Sequence, residues 1–203
     1  MARFPVPQAD LLQPVVAPPL RVSAFPEGPF RFVALDVETA NHDNASICQI
    51  GVACVRPDNS ITTWATYVDP RVERWAFTYL HGISKRTVRG APTFAEVLPV
   101  LHMAIEGIAV YQHSGFDRRA FVAACEGASL AMPVWSWRDS VQVARKAWPE
   151  LKGNGGHGLA SLKRHLGLEF DHHDAGEDAR AAAEVVLLAE EVLSIPSVLE
   201  RGR

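Results

Sequence analysis

The stretch FVALDVETA, residues 32–40, joins an apolar run to two carboxylates. Residues 32–37 predict a buried β-strand, because apolar, β-branched and aromatic residues favour strands. Side chains alternate along a strand, so Asp36 and Glu38 share one face at the strand's end. Two carboxylates this close repel each other, and a hard divalent cation compensates for that repulsion best. Taken alone, the pair also fits two solvated acids at a strand end.

The segments that follow alternate between strand and helix patterns. Residues 47–55 and 61–68 predict two strands, and the turn residues 57–60 between them favour an antiparallel hairpin. Residues 177–193 combine strong helix formers with an apolar face and predict the longest helix. A short strand is also predicted at residues 109–111, and helices at residues 96–105, 117–125, 140–147 and 159–166. This mixture predicts an α/β domain with a mixed central sheet flanked by helices.

Proline and chain length indicate the domain organisation. Seven of the 14 prolines lie in residues 1–29, and proline removes the backbone donors that helices and sheets need. We therefore predict a Pro-rich N-terminal extension over residues 1–28 and a C-terminal tail over residues 196–203. The intervening residues 29–195 are long enough for one domain with its own core.

Composition limits the partners and the compartment. Lys and Arg total 20 against 23 Asp and Glu, a formal net charge of −3. That balance argues against holding nucleic acid by bulk positive charge, but not against a local grip on phosphates through metal ions. The three cysteines form no CxxC pair, which disfavours a zinc site or a disulfide framework. Without a signal-peptide pattern or an apolar run of ~20 residues, we predict a cytoplasmic protein with no membrane partner.

Two later stretches carry further acids. In HSGFDRRAF, residues 113–121, Asp117 follows a short strand and begins a predicted helix. In HDAGEDARAAA, residues 173–183, His173 lies five positions before Asp178, which enters the longest helix. Taken singly, each acid fits the first turn of a helix, where it stabilises free backbone N–H groups.

The order and spacing of these pieces resemble the DEDDh 3′–5′ exonucleases, the family of the proofreading epsilon subunit of bacterial DNA polymerase III and of ribonuclease T. The three motifs stand here as FVALDVETA, HSGFDRRAF and HDAGEDARAAA. ICQIGVACV, residues 47–55, resembles the family's second strand, and residues 68–97 resemble its connector around HGI and APTF. The resemblance covers roughly residues 30–195 and implies the ribonuclease-H-like exonuclease fold.

Two positions depart from the family pattern. Thr39-Ala40 stands where many members have Thr-Gly, and Gln112-His113 stands where many have His-Asn. These changes affect the expected nucleotide contacts and leave the five central motif positions unaltered.

The resemblance implies hydrolysis of phosphodiester bonds at 3′ ends, releasing nucleoside 5′-monophosphates with two divalent ions, Mg²⁺ or Mn²⁺. By the resemblance, Asp36 bridges both ions, Glu38 and Asp178 complete the first, and Asp117 holds the second directly or through water. Carboxylates suit this role because these ions prefer hard oxygen ligands.

His173 is the candidate general base by the same resemblance. An imidazole with a pKa near ~6.5 can accept a proton from the attacking water at neutral pH. His172 is its neighbour and rival, but the pattern H-x-A-x-x-D, with Ala175 in register, selects His173.

Substrate contacts are less specific in the sequence. The resemblance implies that Thr39 and Ala40 approach the terminal sugar and base. Phe116 is a candidate stacking surface or a core residue, and His81 is a candidate site residue or a structural histidine. The expected partner is a single-stranded or frayed 3′ end of DNA or RNA; a polymerase and a second copy of the chain are candidate protein partners.

Two other functional interpretations remain open at this point. The fold could serve as a non-catalytic nucleic-acid-binding or polymerase-binding module, although the intact set of acids and His173 argues against this. A metal-dependent phosphodiesterase acting on small nucleotides would use the same residues, and dependence on substrate length would separate it from an exonuclease. The choice between DNA and RNA depends on a few local contacts that the sequence does not identify.

Overall fold

A computed structural model describes residues 22–194. The strands are β1 (Phe32–Thr39), β2 (Ile47–Val55), β3 (Ile61–Tyr67), β4 (Ala109–Gln112) and β5 (Ser136–Asp139). The helices are α1 (Thr78–His81), α2 (Phe94–Ile105), α3 (Phe116–Gly127), α4 (Ser140–Ala147), α5 (Leu159–Leu166) and α6 (Ala175–Ser194). A 3₁₀ turn, Pro149–Leu151, lies between α4 and α5. No helix within residues 22–194 combines the length and apolar character needed to cross a membrane.

The five strands form one mixed sheet in the order β3-β2-β1-β4-β5. β1 pairs antiparallel with β2, and β2 pairs antiparallel with β3, which confirms the predicted hairpin. β4 runs parallel to β1, and β5 runs parallel to β4. The predicted α/β class with a mixed central sheet is therefore confirmed.

Strand β1 distributes its side chains between the two faces of the sheet. Its odd-numbered residues from Val33 to Val37 join the core formed with α2 and α3. Its apolar even-numbered residues pack against alanines and Val186 of α6. Asp36 and Glu38 continue the even-numbered series, so they lie on the face of the sheet that α6 covers.

Several boundaries differ from the sequence prediction. β5 and α1, each of four residues, were not predicted. α2 begins at Phe94 rather than at residue 96, since Thr93 N–H donates to Glu96 Oε2 at 2.7 Å and caps the helix earlier. Pro99 is consequently the sixth residue of α2.

The described part of the predicted N-terminal extension lies against the sheet. Residues 22–30 contain no helix or strand. Trp64 Nε1 of β3 donates to the carbonyl of Ser23 at 3.2 Å, and the rings of Phe25 and Trp64 lie 5.2 Å apart. The boundary at residue 28 stays a prediction, and the rest of the extension, residues 1–21, together with the tail over residues 196–203, lies outside the described residues.

Helix α6 approaches the sheet most closely at Gly51 in β2. A Cβ atom built on Gly51 would lie 2.0 Å from the carbonyl oxygen of Ala175, the first residue of α6. Gly51 also pairs with Asp36 across the β1–β2 ladder. The missing side chain at Gly51 therefore allows the start of α6 to lie beside the acidic end of β1.

We expect Gly51→Ala to lower the free energy of unfolding by about 3 kcal/mol or more, because the new methyl group meets backbone atoms that cannot rotate away. Gly127→Ala is the matched control, since its Cβ would meet only Ala45 Cβ at 3.8 Å. The control is expected to change stability by no more than about 1 kcal/mol. Urea denaturation of both variants measures the difference, and equal midpoints would contradict the close approach.

Candidate active site

Three carboxylates converge between the end of β1 and the first turn of α6. Oxygen atoms of Asp36, Glu38 and Asp178 all lie within 4.8 Å of one another. Asp36 is half-buried, and Glu38 and Asp178 are 8% and 5% exposed. Asp178 is the fourth residue of α6, where the free N–H groups of the helix end favour an anion. The structure thus brings together residues from the first and third sequence motifs.

The fourth predicted acid, Asp117, lies beside this group rather than within it. Asp117 is the second residue of α3 and is 2% exposed. Its Oδ1 accepts the backbone N–H of Val37 at 3.1 Å, which ties the start of α3 to β1. Asp117 still acts on the group electrostatically, since its charge raises the pKa of both Asp36 and Glu38.

Burial and mutual repulsion disfavour the charged forms of these acids. Burial, followed by the charge of Asp178, raises the pKa of Glu38 to about 8. Burial, followed by the charges of Asp117 and Asp178, raises the pKa of Asp36 well above its ordinary range. Burial also raises the pKa of Asp117 to about 7, while backbone hydrogen bonds, including the one from Val37 N–H, act in the opposite direction.

This donor set fits a hard divalent cation. Among the ion pairs of residues 22–194, none involves Asp36, Glu38 or Asp117. Closely spaced carboxylate oxygens without a cationic side chain are the ligands that Mg²⁺ and Mn²⁺ prefer. A cation held here would remove the repulsion that raises the pKa values.

Both histidines before α6 lie at the site. His172 Nδ1 lies 2.8 Å and 3.0 Å from the two carboxylate oxygens of Asp178. The backbone N–H of His173, a residue with φ +73°, donates to Asp178 Oδ2 at 3.0 Å. The two imidazoles stack with centroids 4.2 Å apart. His172 is exposed and contacts Asp178. The choice of base between the two histidines stays a prediction.

Gln49 and Asp174 hold the start of α6, and sequence reasoning missed both. Gln49 Nε2 donates to Asp174 Oδ2 at 2.9 Å, and Gln49 Oε1 accepts the N–H of Ala175 at 3.2 Å. Asp174 Oδ1 accepts the N–H groups of Gly176 and Glu177. An Asp directly before a run of helix formers is a recognisable N-cap signal. A glutamine inside a strand carries no comparable signal, because its partners lie far away in the sequence.

The four predicted substrate contacts lie around the carboxyl end of β1, mostly in structural roles. Ala40 is fully buried, and Thr39 is 5% exposed. His81 Nε2 donates to the carbonyl of Thr39 at 3.1 Å, while its Nδ1 accepts the N–H of Ile83 at 3.0 Å. Phe116 packs partly buried against the main core. A role for these residues in binding substrate stays a prediction.

An open cavity of about 500 Å³ lies over part of the acidic cluster. Asp36, Asp178 and His172 line it on one side, and residues of α4 and the start of α5 line it on the other. His113 also lines it, with Nδ1 2.8 Å from Ser140 Oγ and Nε2 3.1 Å from the carbonyl of His157. Burial lowers the pKa of His113, which favours the neutral ring.

Sequence comparison finds one matching family model and similar polymerase proteins. A family model described as "Exonuclease" matches residues 33–186. The DNA polymerase III PolC-type protein of Clostridium perfringens is 30% identical over 164 residues, 76% of this chain and 11% of that protein. The corresponding protein of Caldanaerobacter subterraneus is 29% identical over 161 residues. The chain therefore spans about a tenth of the length of the curated relatives it matches.

Solved structures share the fold. The nuclease domain of 3′hExo, a DEDDh family member bound to rAMP, has a TM-score of 0.69 at 17% identity, covering 82% of this chain and 94% of that one. Exonuclease X in complex with 5′ overhanging duplex DNA has a TM-score of 0.64 at 19% identity, covering 81% of this chain and 94% of that one.

The mixed sheet and its flanking helices have the architecture of ribonuclease-H-like exonucleases. With the family match over residues 33–186, the chain belongs to the DEDDh 3′–5′ exonuclease family.

The raised pKa values predict how stability depends on pH. Unfolded Asp and Glu have pKa values near ~4, whereas those of folded Asp117 and Glu38 are about 7 and about 8. At pH values between these, the folded chain therefore binds more protons than the unfolded chain does. The free energy of unfolding of metal-free protein should therefore fall as the pH rises from ~5 to ~8.

Asp36→Asn tests the origin of this dependence, because it removes one of the repelling charges. The variant should be more stable than wild type at pH ~8 in chelator and should show a shallower decline. Chemical denaturation at stepped pH values measures both slopes. Stability that rises with pH over this range in the wild-type protein would contradict the electrostatic description.

Proposed function

We propose that this chain is a metal-dependent 3′–5′ exonuclease that hydrolyses phosphodiester bonds at 3′ ends and releases nucleoside 5′-monophosphates. The observation that carries the proposal is the convergence of Asp36, Glu38 and Asp178 within 4.8 Å, with raised pKa values for the first two. Family membership supports the same chemistry.

Two divalent ions, Mg²⁺ or Mn²⁺, fit the donors. Asp36, Glu38 and Asp178 would hold one ion, and Asp36 would also serve the second. Asp117 would serve the second ion directly or through water, since one of its oxygens is engaged by Val37 N–H. When bound, such ions stabilise the negative charge that develops on the phosphoryl group and on the leaving oxygen.

The chain's own residues would supply orientation and proton transfer. Hydrolysis adds water across the bond between phosphorus and the 3′ oxygen, so the attacking water must lose a proton. His173 is proposed to accept that proton, and burial together with His172 lowers the pKa of His173, which keeps the imidazole available as a base at neutral pH. Asp178 positions both histidine residues through their contacts with its carboxylate.

The proposed substrate is a single-stranded or frayed 3′ end of DNA or RNA. The structural relatives support nucleic acid as the substrate class, since exonuclease X binds overhanging duplex DNA and exonuclease I binds an oligonucleotide. The PolC-type relatives favour a link to a polymerase, and a second copy of the chain is the other candidate partner. A cytoplasmic location stays part of the proposal.

Metal removal tests the proposal directly. Excess EDTA should abolish release of mononucleotides from a labelled oligonucleotide, and Mg²⁺ or Mn²⁺ should restore it. The same ions should raise the melting temperature, since an ion at 100 times its Kd stabilises the folded state by ~2.7 kcal/mol. Asp36→Asn is the control, with little turnover and a smaller thermal shift. Full activity in excess chelator would overturn the proposal.

The paired histidine variants test the base. His173→Ala should reduce kcat by ~10²–10⁴ while ion binding persists, because loss of a general base costs about that factor. His172→Ala should stay close to wild type. Single-turnover hydrolysis at several pH values, combined with ion titration by thermal shift, distinguishes them. If His172→Ala loses activity and His173→Ala keeps it, the base is instead His172, whose ring contacts Asp178.

A further inference from the structure

A second cavity adjoins the one over the acidic cluster. It has a volume of about 450 Å³ and is lined by Arg145, Lys152, His157 and the backbone of the loop between α4 and α5. Arg145 and His157 also line the first cavity. The two cavities are therefore neighbours that share Arg145, a residue near the end of α4, and His157.

The charge of the second cavity is opposite to that of the acidic cluster. Arg145 and Lys152 are exposed, and neither takes part in an ion pair among residues 22–194. The nearby acid Glu150 lies 3.6 Å from His165 on the following helix. Two cations without acidic partners facing one cavity attract anions more strongly than isolated surface charges do.

The loop that forms the cavity is well anchored. Gly153, Gly155 and Gly156 have φ of +78°, +85° and +76°, a conformation that glycine adopts without strain. The N–H groups of Asn154 and Gly156 both donate to the carbonyl of Leu151 at 3.0 Å. Gly153 and Gly156 line the cavity and leave that part of its wall without side chains, so a ligand can approach the backbone closely.

Two histidines that line the first cavity connect it to this loop. His157 Nε2 donates to the carbonyl of Trp148 at 2.8 Å, and the carbonyl of His157 accepts from His113 Nε2 at 3.1 Å. Ser140, at the start of α4, also contacts His113. The basic cavity therefore keeps a defined position relative to the acids at the end of β1.

We propose that the second cavity binds the sugar–phosphate backbone on the 5′ side of the scissile bond, with Arg145 and Lys152 contacting its phosphates. This inference rests on the proposed exonuclease function, which places the 3′-terminal nucleotide at the acidic cluster. A chain with a net charge of −3 needs local cations to retain a polyanion beside four carboxylates. The two cavities together supply a cation-binding end and a phosphate-binding end.

Substrate length tests the inference. A dinucleoside monophosphate carries only the scissile phosphate, whereas a single-stranded oligonucleotide carries further phosphates on the 5′ side. In Lys152→Ala, kcat/KM on the oligonucleotide relative to the dinucleoside monophosphate should fall about tenfold, the effect of losing one charge-assisted contact. Arg145→Ala should lower the same ratio, and Lys152→Arg should largely restore it.

Salt dependence provides a second readout that a general loss of folding would not produce. Each lost phosphate contact should reduce the slope of log affinity against log salt concentration by ~0.7 for a single strand. Fluorescence anisotropy of a labelled oligonucleotide measures this slope, with parallel DNA and RNA arms of the same sequence. Lys146→Ala is the matched control, because Lys146 is an exposed neighbour on α4 that lines neither cavity.

The outcomes separate this inference from the proposed function. Suppose that the wild-type protein is active and that the Lys152 and Arg145 variants keep the wild-type length ratio and salt slope. This result would overturn the inference about the second cavity and leave the proposed function intact. Wild-type protein that hydrolyses neither substrate with Mg²⁺ or Mn²⁺ would overturn the proposed function. In that case, the anisotropy measurements still decide whether the cavity binds phosphates. If the Lys146 variant loses as much oligonucleotide binding as the Lys152 variant, the effect comes from net charge alone. That result would contradict a specific phosphate-binding site in the second cavity.

Discussion

The close contact between the first turn of α6 and strand β2 is the constraint on which the rest of the site depends. Gly51 leaves no side chain in the way, so Ala175 lies directly against the strand. Gln49, two residues earlier on the same face, accepts the N–H of Ala175. Because Gly51 pairs with Asp36 across the ladder, the helix enters beside the acids of β1. Asp178, less than one turn further along α6, thereby reaches the same point.

That arrangement places carboxylates that repel one another close together in the folded chain. Packing of α6 and α3 against β1 removes water from carboxylates that repel one another, and this raises the pKa values of Asp36, Glu38 and Asp117. The same property that weakens the metal-free fold at neutral pH prepares oxygen ligands for cations. Next to this acidic centre, Arg145 and Lys152 line a cavity of opposite charge. An acidic cluster that fits metal ions, beside a basic cavity, suits a substrate that is itself anionic and needs cations for its cleavage.

Agreement between the sequence and the structure depends on how local each signal is. The bounds of β2, α4 and α5 match the prediction, because strand residues, helix formers and the αL glycine at residue 167 act over neighbouring positions. β5 has four residues of which alternate ones are exposed, and only pairing with β4 identifies it as a strand. Gln49 was missed for the same reason: its hydrogen-bond partners lie 125 and 126 residues away.

The sequence by itself determined the α/β class, the family resemblance and the identity of the acids, since these follow from residue types and their spacing along the chain. The tertiary structure alone decided which of these acids share a cluster, that His172 as well as His173 contacts Asp178, and that Ala40 is buried. It also placed Arg145 beside the acidic cavity. The physical reason is that these relations depend on how closely helices approach the sheet. That distance depends on packing between residues far apart in the sequence.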